Sequence, residues 1–99
     1  MSEILSITIR ILPDGVELLF NGRLAWALHT LLVAGENGCT PLDHPGPRWS
    51  GYIHRLRRAG FSIETINERH TGPYPGRHAR YVLRSTVEVV SRGEMGKAA

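Results

Sequence analysis

The 99 residues, 41% of them apolar, suit one domain with one core that buries roughly two thirds of the surface of the unfolded chain. There is no apolar run of about 18 residues to span a membrane and no basic-then-apolar leader at the start, so a cytoplasmic protein is expected, and the single cysteine, Cys39, excludes an intramolecular disulfide. The net charge of +3 hides a strong polarity: residues 1–46 hold Arg10 and Arg23 against Glu3, Asp14, Glu17, Glu36 and Asp43, whereas residues 47–84 hold eight arginines against Glu64 and Glu68.

Ile4 to Leu12 alternates apolar and polar residues, with 5, 7, 9 and 11 apolar, which is the period of a half-buried strand. Pro13-Asp14-Gly15 supplies a turn, with glycine expected at the positive-φ position, and Val16 to Phe20 returns as a second strand. Asn21 is placed to cap a helix from Arg23 to Ala34, where Leu24, Leu28, Leu31 and Leu32 recur at helical spacing and Gly35 and Gly38 flank the end. Cys39 to Leu42 reads as a short extended piece. Asp43-His44-Pro45-Gly46-Pro47 holds too many helix breakers for more than a turn.

Pro47 suits the first position of a second helix, which Gly60 closes. At 100° per residue, Trp49, Tyr52, Ile53, Leu56 and Ala59 share one side as core, while Ser50, Gly51, His54, Arg55 and Arg58 share the other. Phe61, Ile63 and Thr65 alternate as a strand, and Ala79 to Leu83 is again strand-like. Between them His70 to His78 forms the tip of a hairpin stiffened by Gly72-Pro73 and Pro75-Gly76. Val87, Val89 and Val90 extend the last strand or add a short edge, and from Ser91 onward no core-forming pattern remains, so a frayed tail is expected.

The order is strand, strand, helix, extended piece, helix, strand, loop, strand. From Arg23 onward this resembles the winged helix domains of bacterial DNA-binding proteins. More narrowly, the runs PRWSGYIHRLRRAGFSIET and GRHARYVLRS, after a hairpin ending in NGR, are similar to a group of small bacterial winged helix proteins typical of alphaproteobacteria and their mobile elements. The resemblance covers the chain to about Val90. It implies an α+β winged helix-turn-helix domain with an additional N-terminal β-hairpin (1–22), a core over 23–84 whose second helix is shortened, a terminal strand extension over 85–90 and a disordered tail over 91–99.

A basic helix beside a basic hairpin is the surface that such a domain turns to double-stranded DNA. The helix 47–59 is expected in the major groove, with Arg55 or Arg58 reading guanine, Ser50 and His54 near base edges, and Arg48 and Arg57 on phosphates. The wing 70–80 is expected on the backbone or minor groove through Arg77, His78 and Arg80. A small transcriptional regulator or mobile-element factor fits this reading. An alternative is a protein-interaction module on the same scaffold with an acidic partner. The alternating strand Ile4 to Leu12 is a candidate edge for a homodimer, although closing the sheet of its own domain over the first helix is the slightly favoured reading.

Other chemistries find little support. No pair among His29, His44, His54, His70, His78 and Cys39 has short zinc-ligand spacing, so no metal and no cofactor are expected. No phosphate loop, nucleophile elbow or nucleophile with a neighbouring base points to an enzyme. Trp26 and Trp49 read as core anchors, and Cys39 as a buried structural thiol.

Overall fold

A computed structural model describes residues 4–44, 48–72 and 76–94. Two antiparallel β units pack against two helices. Strand β1 (Ile4–Ile11) and strand β2 (Glu17–Asn21) form the expected N-terminal hairpin, followed by helix α1 (Gly22–Ala34) and a 3-10 turn (Gly35–Asn37). Helix α2 (Trp49–Ala59) leads into strands β3 (Ile63–His70) and β4 (Gly76–Leu83), and strand β5 (Val87–Glu94) ends the described chain.

The hairpin turn differs from expectation in its detail. Gly15 is not in a positive-φ conformation. Its amide donates to the Ile11 carbonyl at 2.7 Å, and a Cβ there would run into that oxygen, so close approach is what requires glycine. Asn21 occupies the N-cap position of α1 in an extended conformation, but its side chain makes no capping hydrogen bond.

β1 is the middle strand of a three-stranded sheet, with β2 on one side and β5 on the other. Two expectations change as a result. Ile4 to Leu12 offers no open edge to a second copy, since both of its sides are paired. Ser91 to Glu94, expected to be frayed, belong to β5 and pair with the start of β1. Alternation puts Ile7 and Ile9 inward, both fully buried, against the apolar stripe Leu24, Ala25, Ala27, Leu28 and Leu31 of α1.

α2 begins at Trp49, later than expected, because Arg48 adopts a left-handed conformation (φ 67°, ψ 34°) that cannot continue a helix; Pro47 lies outside the described residues. Trp49, Tyr52, Ile53 and Leu56 are buried as the spacing requires, whereas Ala59, assigned to the core side, is exposed at the last position. Gly60 closes the helix at φ 115°, its amide turned back on the carbonyls of Leu56 and Arg57. Phe61 then packs on Phe20 with ring centroids 5.7 Å apart, joining the N-terminal sheet to the end of α2.

In place of a second helix between α1 and α2 there is a turn. The Thr40 hydroxyl accepts from the Asp43 amide at 2.9 Å and the Thr40 carbonyl from the His44 amide at 2.9 Å. Cys39, also buried, forms an antiparallel bridge to Tyr81, so this segment lies on β4 opposite β3. Burial pushes the Cys39 thiol up to about 11, as suits a structural cysteine.

Because β1 ties both edge strands and α1 together, truncating its centre is expected to be costly. Ile9→Ala should lower stability by about 2–5 kcal/mol, read as a lower urea midpoint with an unchanged slope. A loss below about 0.5 kcal/mol, the usual range of a surface substitution, would show that β1 is peripheral.

Candidate nucleic-acid interface

The outer face of α2 is polar and basic. Ser50, Gly51, His54, Arg55 and Arg58 are all exposed and occupy about 140° of arc opposite the buried stripe. Arg48 is exposed at the start of the helix. Arg57 stands at the margin of this face, and its guanidinium is tied to the hairpin. Its Nε and Nη2 donate to the Ile63 carbonyl at 3.2 and 2.6 Å, and Nη2 also donates to the Thr65 hydroxyl at 2.8 Å. Arg57 therefore sets the angle between α2 and β3.

The hairpin β3–β4 is in unbroken register from Ile63 opposite Leu83 to His70 opposite Gly76. Alternation gives it two faces. One carries Ile63, Thr65, Asn67 and Arg69 with Leu83, Tyr81, Ala79 and Arg77. This is the face toward α2, because Thr65 receives Arg57 and the Tyr81 ring stacks on Trp49 with centroids 6.4 Å apart. The other carries Glu64, Ile66, Glu68 and His70 with Val82, Arg80 and His78.

This parity divides the wing residues expected at DNA. Arg77 lies on the α2 side. His78 and Arg80 lie on the far side, inside a network centred on Glu68: Arg80 Nε donates to Glu68 Oε2 at 2.7 Å, and His78 Nε2 lies 3.0 Å from Glu68 Oε1. Arg80 also donates to the Asn37 carbonyl at 2.7 Å and approaches Asp43 at 3.9 Å, which fastens the wing to the turn after α1. The Arg80 hydrogen bond, aided by that from His78, holds the Glu68 carboxyl below its ordinary range against the opposing effect of desolvation, and Glu68 raises Arg80 in turn. His78 Nδ1 is 2.9 Å from His70 Nδ1.

Arg69 is a residue that sequence reasoning missed. It stands directly opposite Arg77 at the end of the hairpin, and Arg69, His70, Thr71, Gly76 and Arg77 line an open cleft of about 400 Å³. Counting strand positions outward from Tyr81 finds it, once the hairpin register is known. Among the described residues Arg48, Arg55, Arg58, Arg69 and Arg77 have no ion pair or side-chain hydrogen bond. Arg84 pairs with Glu64 at 2.6 Å, and Arg10 bridges Glu17 and Glu88 at 2.9 and 2.7 Å. Trp49 is buried as expected, and its indole donates to the His44 carbonyl at 2.7 Å; Trp26 is half-buried, with the Arg23 guanidinium 4.5 Å from its ring centroid. The tip residues Pro73 to Pro75 lie outside the described residues.

Among the described residues no three His, Cys, Asp or Glu side chains converge as a metal site, and no helix is long and apolar enough to cross a membrane. The two helices, the short Cys39 strand segment and the β3–β4 wing define a winged helix. The chain belongs to the winged helix domain family, whose profile matches residues 17–93; the fold generally serves DNA binding. Comparisons with curated proteins and with solved structures return no match.

The state of Glu68 gives a pH-dependent contribution of known sign. A carboxyl whose folded value lies below its unfolded one stabilises the fold above the unfolded value, about 4.5, and that contribution is lost as pH falls through the folded value. The wild-type protein should therefore lose more thermal stability between about pH 5 and pH 3 than Glu68→Gln does. Parallel melting curves of the two would discount the network as a stabilising element.

Proposed function

We propose that this chain is a small DNA-binding winged helix protein, a transcriptional regulator or mobile-element factor, that sets α2 in the major groove and lays the wing on the backbone or minor groove. The observation that carries this reading is the Arg69–Arg77 pair. Like charges directly opposite each other on a hairpin are unfavourable, and these two lie on the side of the wing that faces α2. A phosphate backbone relieves that repulsion, whereas water only screens it.

In this reading Arg55 and Arg58 reach guanine edges, with Ser50 and His54 beside them. Arg48 at the helix start and Arg69 with Arg77 at the wing tip grip phosphates. Arg57, His78 and Arg80 act behind that surface by holding the helix and the wing in place. A dimer on a two-fold site is compatible with the N-terminal hairpin if it forms through β2, whose outer edge has no strand partner among the described residues and whose Leu19 is 61% exposed.

The reduction of the support helix to the turn at Thr40–His44, with Leu42 exposed, favours a second reading: a protein-interaction module that meets an acidic partner with the same arginines. Pulldown from nuclease-treated extract separates the two, since a protein partner persists and a nucleic-acid bridge disappears.

Gel-shift titrations on mixed duplexes should show affinity falling with salt at a logarithmic slope of about −3, as the three phosphate-directed arginines Arg48, Arg69 and Arg77 require. Arg69→Ala with Arg77→Ala should reduce that slope by about two without lowering the melting temperature. Arg55→Ala with Arg58→Ala should weaken binding and leave the fold intact. Affinity that is indifferent to salt, or unchanged in both double variants, would overturn the proposal.

A further inference from the structure

On the far face of the wing, His70 and His78 stand with their Nδ1 atoms 2.9 Å apart and their rings 5.1 Å centroid to centroid. At that separation one nitrogen donates and the other accepts, so the contact holds one proton between the rings. The outer nitrogen of His78 fixes which ring donates. Its Nε2 meets Glu68 Oε1 at 3.0 Å, and a carboxylate only accepts, so His78 keeps a proton on Nε2. In the neutral pair its Nδ1 is then bare, His70 donates from Nδ1, and His70 Nε2 is left without a proton.

Adding one proton at His70 Nε2 leaves every one of these contacts standing and turns the inter-ring bond into a charge-assisted one. Adding a second forces hydrogens onto both facing Nδ1 atoms and sets two cations against each other, which breaks the contact. The pair is a store for one proton.

The position of that proton gives it a consequence. His70 lines the same cleft as Arg69, Arg77 and Thr71. The charged groups around the pair are Glu68 and Arg69 from β3 and Arg77 and Arg80 from β4. Asp43 adds its charge through Arg80, which also binds the Asn37 carbonyl. Arg80 neutralises Glu68, so the incoming proton appears as added positive charge at the wing tip.

Resting on the DNA-binding reading above, we infer that the His70–His78 pair links DNA binding to uptake of one proton at the arginine cleft of the wing. The sign follows from charge. A polyanion favours the protonated pair, so affinity rises as pH falls, and bound DNA in turn makes the pair hold its proton more tightly.

Two measurements test this. In the free protein, imidazole nitrogen NMR across about pH 8 to 5, the range in which histidines titrate, should show His70 and His78 shifting together and taking up one proton in total. Two full independent titrations would overturn the shared store, whatever the protein does with DNA.

The linkage is read from duplex affinity at fixed ionic strength, with a chelator present so that the linked ion is the proton. His54 lies on the exposed face of α2 and is common to both proteins of the comparison, the wild-type chain and the His70→Gln, His78→Gln variant, so its own contribution cancels. From about pH 8 to pH 6 the affinity of the wild-type chain should rise about fivefold or more, and His70→Gln with His78→Gln should remove most of that dependence. The amide introduced by His78→Gln can still donate to Glu68, and a melting curve checks that the wing is intact. Equal pH dependence in the two proteins overturns the linkage while leaving DNA binding in place. Absence of binding at every pH overturns the DNA reading itself and the linkage with it.

Discussion

The arrangement of the basic surface depends on how Tyr81 is held. Its amide and carbonyl exchange hydrogen bonds of 2.8 Å each with Cys39, and its ring stacks on Trp49 at an interplanar angle of 22°. These contacts fix the side of β4 on which Tyr81 lies. Because successive strand residues alternate, they also fix the side for every other residue of β4. Arg77, four positions away, is sent to the α2 side, and Arg80 and His78 to the other. A slip of one residue would exchange the two sets, placing Arg80 beside α2 and Arg77 beside Glu68. Gly38 protects the register. It sits at φ 71° with the position of a Cβ only 2.7 Å from the Tyr81 carbonyl oxygen, so any side chain there would push the Cys39 segment off the strand.

That register also decides which positive charges are neutralised. The basic half holds only Glu64 and Glu68 as acids, and both are taken by β4 arginines or their neighbour, Arg84 and Arg80 respectively. Arg57 gains a carbonyl and a hydroxyl, which orient it without removing its charge. The remaining arginines of α2 and the wing tip are left without acids for a geometric reason: the two carboxylates lie on the face of the wing turned away from them. Ion pairing in this domain thus orients the wing, and the exposed Arg84–Glu64 pair contributes little to stability by itself.

Much of the fold is legible in local patterns. Alternation in Ile4 to Ile11 and Phe61 to Ile63, helical spacing of leucines in α1, and Gly60 after the basic helix each mark an element because each reports burial or a φ requirement of its own residues. β5 carries no such mark beyond Val89, since Ser91, Arg92 and Gly93 owe their place to main-chain pairing with β1, more than eighty positions earlier, and backbone pairing is blind to side-chain type. The start of α2 is hidden for a related reason: arginine seldom adopts the left-handed conformation found at Arg48, and Pro47 suggests a helix already under way. The candidate site is legible as a charge cluster and illegible as a surface. Composition singles out Arg77, His78 and Arg80 together, but neighbours in sequence point to opposite faces of a strand. Arg69 passes unnoticed because its partner lies across a turn whose register the local sequence does not state.

The missing support helix shifts work onto the elements that remain. In a helix-turn-helix the first helix of the pair braces the recognition helix and crosses the DNA backbone. Here bracing falls to Trp49, whose indole bonds the His44 carbonyl at 2.7 Å and whose ring contacts Trp26, Tyr52 and Tyr81. The Thr40 turn holds that carbonyl in place. Orientation of α2 is thereby preserved by one aromatic cluster in place of a helix. Backbone contacts are not, since the turn brings Asp43 and no arginine to that position. In the proposed DNA-binding role, phosphate grip then falls to the flanks of α2 and to the wing, and a wing tip with two unpartnered arginines facing α2 is what such a shortened domain would need.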